Sequence, residues 1–167
     1  QVKDTAEALQ GSRDIIAEWI AEDEQARSTI RQLFQQGATL FAKVLNAKKE
    51  TEEAKKYKDY FEFKESLQKC PSHRVLAVRR GEKEGFLAMD ISIDKTTALE
   101  ALTKLFITSN NNATTHIQKA IEDCYDRLLK PSIENEFRLI SKNIADDEAI
   151  QVFTENLRQL LLASPLG

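Results

Sequence analysis

Cysteine, histidine, glycine and proline are all scarce in this chain of 167 residues. Its two cysteines cannot form a disulfide scaffold, and its two histidines do not make a metal-binding cluster, so we predict no metal site and no cofactor. The five glycines and three prolines argue against a many-turned sandwich or barrel and against a disordered linker. The apolar run at 160–163 is far shorter than the roughly 20 residues of a membrane span, so no membrane span is predicted.

An excess of positive charge is also absent. The chain has 24 basic and 27 acidic residues, which gives a net charge of −3. Because a domain that binds nucleic acid through bulk charge is normally basic, any such role here depends on a local patch. The sequence shows no signal peptide, and the default for such a chain is a reducing, intracellular setting, so we predict a cytoplasmic location.

Enough apolar sequence is present to build a core. Hydrophobic residues make up 41% and charged residues 31% of the chain, which fits one domain or two small ones with a well-solvated surface. The chain begins at Gln1 and has one methionine, Met89. We therefore expect it to be a segment excised from a longer protein.

The first residues predict a pair of helices. A short helical stretch is expected to break at Gly11, and Ser12 is placed to cap the helix that follows. The acidic residues at 22–24 suit the start of another helix, because the helix dipole favours negative charge there, and Gly37 is a good stop. We predict a helix-turn-helix-like pair.

The pattern then changes to strand formers. The segments 39–45 and 85–93 are each predicted as a short strand, the second from its alternation of apolar and small or polar residues. Between them, Pro71 is well placed at the first turn of a helix that is expected to stop at Gly81. The segments thus predict two strands and one helix.

The rest of the chain reads as helix. Asp94 is expected to cap a helix, and Pro131 is expected to start another. We predict a mainly α fold (α+β, with two short strands) that forms one multi-helical module over residues 1–167. Its parts are a mixed half, 1–93, which contains the helix-turn-helix-like pair, and an all-helical half, 94–167.

One basic cluster is the candidate nucleic-acid-binding site. Its members are the densest group of basic residues in the chain: Arg74, Arg79, Arg80 and Lys83. The stretch 48–69 could join such a patch because it mixes seven lysines with aromatic residues, although six acids nearly cancel the charge. The alternative also stays open: the arginines complement the negative end of a helix, and Glu82 and Glu84 oppose them, as on an ordinary solvated helix end.

Other constellations have ordinary structural explanations. Cys70, Ser72 and His73 are close in sequence, but neighbours at a helix start point in different directions, whereas a nucleophile and its base must meet. Glu134 and Glu136 could suggest a divalent-metal site, yet acids in a first helical turn are also what the dipole prefers, and an ion pair is favoured. We predict no catalytic residue, and we predict that the chain is not an enzyme.

Three segments together resemble a known family: 71–85, 128–138 and 149–162. They are similar to the bacterial Tex family of transcription accessory proteins, and 11–18 and 57–61 fit the same family. The resemblance covers nearly the whole chain. One departure is Cys70, where an apolar residue is more usual in the family, and this departure weakens the idea of a functional thiol.

The resemblance implies a helical core with helix-turn-helix-like elements. In the family this core precedes a YqgF-type domain resembling RNase H, helix-hairpin-helix elements and an RNA-binding OB-fold, and this chain ends about where the RNase H-like domain begins. We therefore expect a scaffold segment that supports RNA or DNA binding and transcription regulation. The alternative is a protein-interaction module that docks on the transcription or translation machinery through its helical second half or through an acidic face: Glu18, Glu22, Asp23 and Glu24.

Overall fold

The computed structural model describes residues 2–163, so Gln1, and Pro165 and Gly167, which the sequence predicts at the end of the last helix, lie outside it. The described chain is mainly α, as predicted. It divides into two compact units: one comprises the chain up to Ala38 together with Ser92–Glu136, and the other comprises Thr39–Ile91 together with the chain from Phe137 onward. The single module with halves 1–93 and 94–167 stays a prediction.

The elements of the described residues follow in chain order. The α-helices are α1 (Val2–Glu22), α2 (Glu24–Gly37), α3 (Ser72–Lys83), α4 (Lys95–Phe106), α5 (Thr114–Cys124) and α6 (Lys130–Leu162). The strands are β1 (Thr39–Val44), β2 (Glu62–Ser66) and β3 (Leu87–Ser92), with β1 in the middle of the sheet. Short 3₁₀ helices span Asn46–Lys48 and Glu53–Tyr60, and a π-helical turn spans Tyr125–Leu129.

Helix α1 of the first unit runs without a break through Gly11, so the predicted interruption is wrong. The hydroxyl of Ser12 donates a hydrogen bond to the backbone oxygen of Ala8 at 3.0 Å instead of capping a new helix. A glycine inside a helix costs only about 1 kcal/mol relative to alanine, which the remaining turns offset.

The break between α1 and α2 is a single residue, Asp23. Its carboxylate accepts a hydrogen bond of 2.7 Å from the backbone N–H of Ala26, as an N-cap does. Helix α2 ends at Gly37, as predicted. Because a helix-turn-helix usually has a turn of about three or four residues, that interpretation of the pair stays a prediction.

The first unit has an apolar core with side chains from α1, α2, α4 and α5. Its buried members include Ala17, Ile20, Ile30, Phe34, Leu102 and Ile121. The apolar side chains of α1 are only partly buried, since Ile15 and Trp19 are 50% and 69% exposed.

A π-helical turn replaces the new helix start predicted at Pro131. Proline lacks an N–H, and its ring clashes with the carbonyl of the residue four positions earlier in an α-helix. Here the backbone N–H of Lys130 bonds instead to the oxygen of Tyr125, five positions earlier, which widens the helix just before the proline. The helical path therefore continues from α5 into α6.

An ion-pair network within the first unit joins α2 to the start of α6. Arg31 donates to both carboxylate oxygens of Glu136, at 2.8 and 2.9 Å, and Arg27 donates to the Ser132 hydroxyl at 2.7 Å. The hydrogen bond from Arg31 lowers the pKa of Glu136 below its ordinary value. The carboxylate is therefore committed to an arginine pair, which accounts for one of the two acids that the sequence offered as metal ligands.

We expect this pair to make stability depend on pH in the acid range. Because the folded-state pKa of Glu136 is lowered, the pair stabilises the fold above the ordinary pKa of about 4.5, and this stabilisation is lost as the pH falls through the lowered value. The Glu136→Gln variant should lose about 0.5–1 kcal/mol of unfolding free energy at neutral pH and approach the unmodified chain near pH 3. Urea unfolding across this range measures both.

The control for that series is Glu122→Gln. Glu122 pairs with Lys95 at 2.9 Å in the same unit, but its side chain is 54% exposed. This exposed pair should contribute only a few tenths of a kcal/mol. Parallel pH curves for the Glu136 variant and the unmodified chain would contradict the expectation.

The second unit holds the sheet, and one of its strands escaped the sequence prediction. Strand β2 pairs antiparallel with β1, so that Phe41 lies opposite Lys64 and Thr39 lies opposite Ser66. Residues 2–163 therefore contain three strands rather than the two predicted. Strand β2 was hidden because its residues are mostly charged and none of them is fully buried.

The end of α3 is set by Gly85 and not by Gly81, where the sequence predicted a stop. Gly85 has a φ of 79°, a conformation that glycine adopts without strain. The N–H of Phe86 bonds to the oxygen of Gly81 at 2.9 Å, and the N–H of Gly85 bonds to that of Glu82 at 3.0 Å. These two bonds form a Schellman cap, which turns the chain into β3 and fixes where Phe86 lies.

The carboxyl-terminal part of α6 is apolar and exposed. Ile150, Phe153 and Leu157 are 63%, 68% and 45% exposed. Among the described residues, however, no helix combines the length and the apolar character that crossing a membrane requires. This exposed apolar face belongs to the second unit.

Candidate nucleic-acid interface

The four basic residues predicted as a patch do not all face one way. Arg74, in the first turn of α3, pairs with Glu65 of β2 at 2.9 Å. Arg79 donates to the backbone oxygen of Arg138 in α6 at 3.2 Å. These two guanidinium groups already hold the second unit together, so only part of their charge is directed to solvent.

Arg80 and Lys83 are exposed and lie one turn apart near the end of α3. Residues three apart on a helix share a side, so the two cations form a pair of neighbouring charges. Both lie in the last turn of α3, where their positive charges also offset the negative end of the helix dipole. They are the members of the predicted patch that are best placed to contact a ligand.

A second group of side chains, which includes two lysines, lies around Phe86 at the end of α3. We call it the Phe86 cluster, and its members are Lys48, Lys56, Tyr57, Glu84 and Phe86. The Lys48 and Lys56 ammonium groups lie 5.2 and 5.8 Å from the centre of the Phe86 ring. At such distances a cation is attracted by the face of an aromatic ring. The Schellman cap thus positions a ring that gathers lysines from two other segments.

Glu84 is the carboxylate within this cluster. Its Oε2 lies 2.5 Å from the Lys56 Nζ, and this contact is the main reason that its pKa is lowered and that the Lys56 pKa is raised. The charge of Arg80 lowers the Glu84 pKa further. Glu84 is therefore the counter-ion of Lys56, and the charge of Arg80 acts on the same carboxylate from the exposed end of α3.

Tyr57 forms the floor of the cluster. Its side chain is only 4% exposed, and its ring packs against that of Phe86 with 5.8 Å between centroids. Burial is the main reason that the Tyr57 pKa is raised, and Glu84 adds to the effect. Its buried hydroxyl lies beside the Lys56 and Glu84 pair and also helps to lower the pKa of Glu84.

Sequence reasoning found the lysine-rich stretch but not which of its lysines matter. Tyr57 of this stretch is a core residue, but nothing local distinguishes Lys56 from its neighbour Lys55. Lys55 pairs with Glu52 at 2.5 Å on an exposed surface. The signal that was available is Gly85, because a glycine before an aromatic residue at a helix end predicts a turn that presents that residue.

The sequence group Cys70, Ser72 and His73 does not form a nucleophilic site. Burial, followed by the charge of Glu65, raises the pKa of Cys70 to about 11, so its thiol stays protonated at neutral pH. The Ser72 hydroxyl donates to the Glu148 carboxylate on α6, and His73 is exposed. The three side chains therefore do not form one site.

No grouping of three or more histidine, cysteine, aspartate or glutamate side chains within residues 2–163 is arranged to hold a metal ion. Glu136, one of the acids considered for such a site, is bound by arginine, as described above.

A family model described as Tex central region-like matches residues 1–153. The chain belongs to this Tex family. It is 40% identical over 162 residues to protein YdcI of Bacillus subtilis, and 33% identical over 174 residues to the transcriptional accessory protein Tex of Neisseria gonorrhoeae. These alignments cover 96% and 99% of this chain. The resemblance noted from the sequence is confirmed.

The similarity extends to a human protein. The Tex-family chain is 28% identical over 178 residues to S1 RNA-binding domain-containing protein 1 of Homo sapiens. This alignment covers 93% of the chain and 17% of the human protein. The chain spans about 22% of the length of the two bacterial relatives named above. The matched family segment also contains the whole Phe86 cluster and all four residues of the predicted basic patch.

Proposed function

We propose that this chain is the helical scaffold segment of a Tex-like transcription accessory protein, and that it contributes phosphate contacts to RNA or DNA binding. Membership of the Tex family supports the scaffold role, and one relative is named as a transcriptional accessory protein. The name of the human relative refers to RNA binding. A cytoplasmic place of action is part of the same proposal.

The observation that carries the phosphate contacts is the exposed pair Arg80 and Lys83 at the end of α3. The chain as a whole is acidic, so a phosphate must be attracted by a local excess of positive charge. Arg74 and Arg79 belong to the same proposed patch, but each already binds an oxygen within the second unit. Their contribution is therefore expected to be smaller.

Salt-dependent binding tests this proposal. The Arg80→Gln, Lys83→Gln double variant should bind a short single-stranded RNA about threefold more weakly per lost contact at low salt. The slope of log affinity against log salt should fall by about 0.7 for each contact. Fluorescence anisotropy at several salt concentrations measures both quantities.

The matched control removes the same charge elsewhere in the second unit. Lys64→Gln, Lys69→Gln changes two exposed lysines and leaves α3 intact. This control should bind RNA as the unmodified chain does. Equal losses in both double variants would mean that net charge, and not the end of α3, determines binding.

A docking role is the second candidate, and the exposed apolar face of α6 favours it. Besides Ile150 and Phe153, the last turns expose Leu160, Leu161 and Leu162 at 70–75%. Side chains of this kind are enriched where helices dock on partners. Recovery of a component of the transcription machinery after nuclease treatment, and its loss in Phe153→Ser, would favour docking over phosphate contact.

A further inference from the structure

The two lysines of the Phe86 cluster and the neighbouring Arg80 come from separate segments of the chain. Lys48 belongs to the first 3₁₀ helix, Lys56 to the second, and Arg80 to α3. The Lys48 Nζ lies 3.2 Å from where a Cβ on Gly85 would be, so the glycine leaves room for this ammonium group. The backbone also closes around the ring, because the N–H of Leu45 bonds to the oxygen of Phe86 at 2.9 Å.

The charges of this group do not balance. Among Lys48, Lys56 and Arg80, the carboxylate of Glu84 pairs directly with Lys56 alone. Two positive charges are thus left over in the group. This excess of positive charge favours an oxyanion as the ligand.

The ring contacts decide which part of a nucleic acid fits. A base stacks on the open face of an aromatic side chain. Both lysine ammonium groups already lie over the Phe86 ring, and Lys56 also lies 5.0 Å from the centre of the Tyr57 ring. The rings therefore orient cations and are not free platforms for bases, which points to phosphate and not to base recognition.

We propose that Lys48, Lys56 and Arg80 bind the phosphate backbone of a nucleic acid without regard to base, and that Glu84 is a built-in competitor that weakens this binding. This inference rests on the proposed function and extends its contact surface from α3 to the Phe86 cluster. A phosphodiester takes the place of the Glu84 carboxylate on Lys56, while Lys48 and Arg80 contact the remaining oxygens.

The test uses variants with opposite expected signs. Lys48→Gln and Lys56→Gln should each weaken binding of a single-stranded RNA about threefold at low salt and reduce the salt slope by about 0.7. Glu84→Gln should strengthen binding by a similar factor, because it releases Lys56 and removes a negative charge that acts on Arg80. Oligouridine and oligoadenosine of equal length should respond alike.

Two control variants match these changes in charge. Lys64→Gln removes a lysine of the same unit that also lies over an aromatic ring, 5.6 Å from the centre of Phe41. Glu62→Gln removes an exposed carboxylate from β2. Both controls should bind RNA as the unmodified chain does, so that net charge alone cannot account for the effects.

The outcomes separate this inference from the proposed function. If the α3 double variant loses affinity while the Lys48, Lys56 and Glu84 variants match their controls, the inference fails and the proposed function stands. If the unmodified chain shows no salt-sensitive RNA binding, both fail. Thermal stabilisation of the chain by potassium phosphate beyond that by potassium chloride at equal ionic strength, without RNA binding, would assign the site to free phosphate and overturn the proposal.

Discussion

Replacing Arg138 with methionine should lower the free energy of unfolding by about 2 kcal/mol. Its guanidinium donates to both carboxylate oxygens of Glu82 on α3, at 2.5 and 2.6 Å, and to the backbone oxygen of Met89 on β3 at 2.9 Å. Methionine keeps much of the side-chain volume but leaves two acceptors without their partner. The Arg138 and Glu82 side chains are 21% and 32% exposed, so the loss is smaller than for a fully buried pair.

Urea unfolding monitored by circular dichroism gives this free energy directly. The control is Lys142→Gln, which removes an exposed pair with Asp146 in the same helix and should cost only about 0.3–0.5 kcal/mol. Arg138→Lys should recover only part of the loss, because a single ammonium nitrogen cannot replace both Nη2, which binds Glu82, and Nη1, which binds the Met89 oxygen. A loss in Arg138→Met no larger than that of the control would show that this clamp contributes little.

The same arginine shows what sequence patterns predict well and what they miss. Helix caps are local, so Asp94 caps α4 as predicted, with its carboxylate 2.9 Å from the N–H of Thr97. The partner of Arg138 is not local: Glu82 lies 56 residues away. A pattern of neighbours on one helix cannot indicate an ion pair between elements that the fold brings together.

Strand β2 and the Phe86 cluster were missed for a related reason. Strand β2 forms because it pairs with β1, and its own residues show no apolar alternation that would predict a strand. Lys48 and Lys56 matter because a helix cap presents Phe86 to both of them. The sequence could therefore indicate the basic end of α3, but not which distant lysines join it.

The two misread glycines lead to the second large prediction. Gly81→Ala should destabilise the fold by about 2 kcal/mol, although alanine is the better helix former by about 1 kcal/mol. A Cβ at this position would lie 2.5 Å from the Leu87 Cδ1 and 3.2 Å from the Tyr57 Cδ1. Leu87 and Tyr57 are only 2% and 4% exposed, so neither side chain has room to retreat. Thermal unfolding of the variant measures the loss.

Gly11→Ala is the matched control, with the opposite sign. Gly11 also lies inside a helix, but nothing lies within 4 Å of the added Cβ, so the better helix propensity of alanine should stabilise the chain by about 0.5–1 kcal/mol. Adding Leu87→Val to Gly81→Ala should cost less than the sum of the two single changes, because the smaller side chain removes the clashing methyl group. Additive losses, or a stabilised Gly81→Ala variant, would show that Gly81 is retained for some reason other than this close packing of α3 against Leu87.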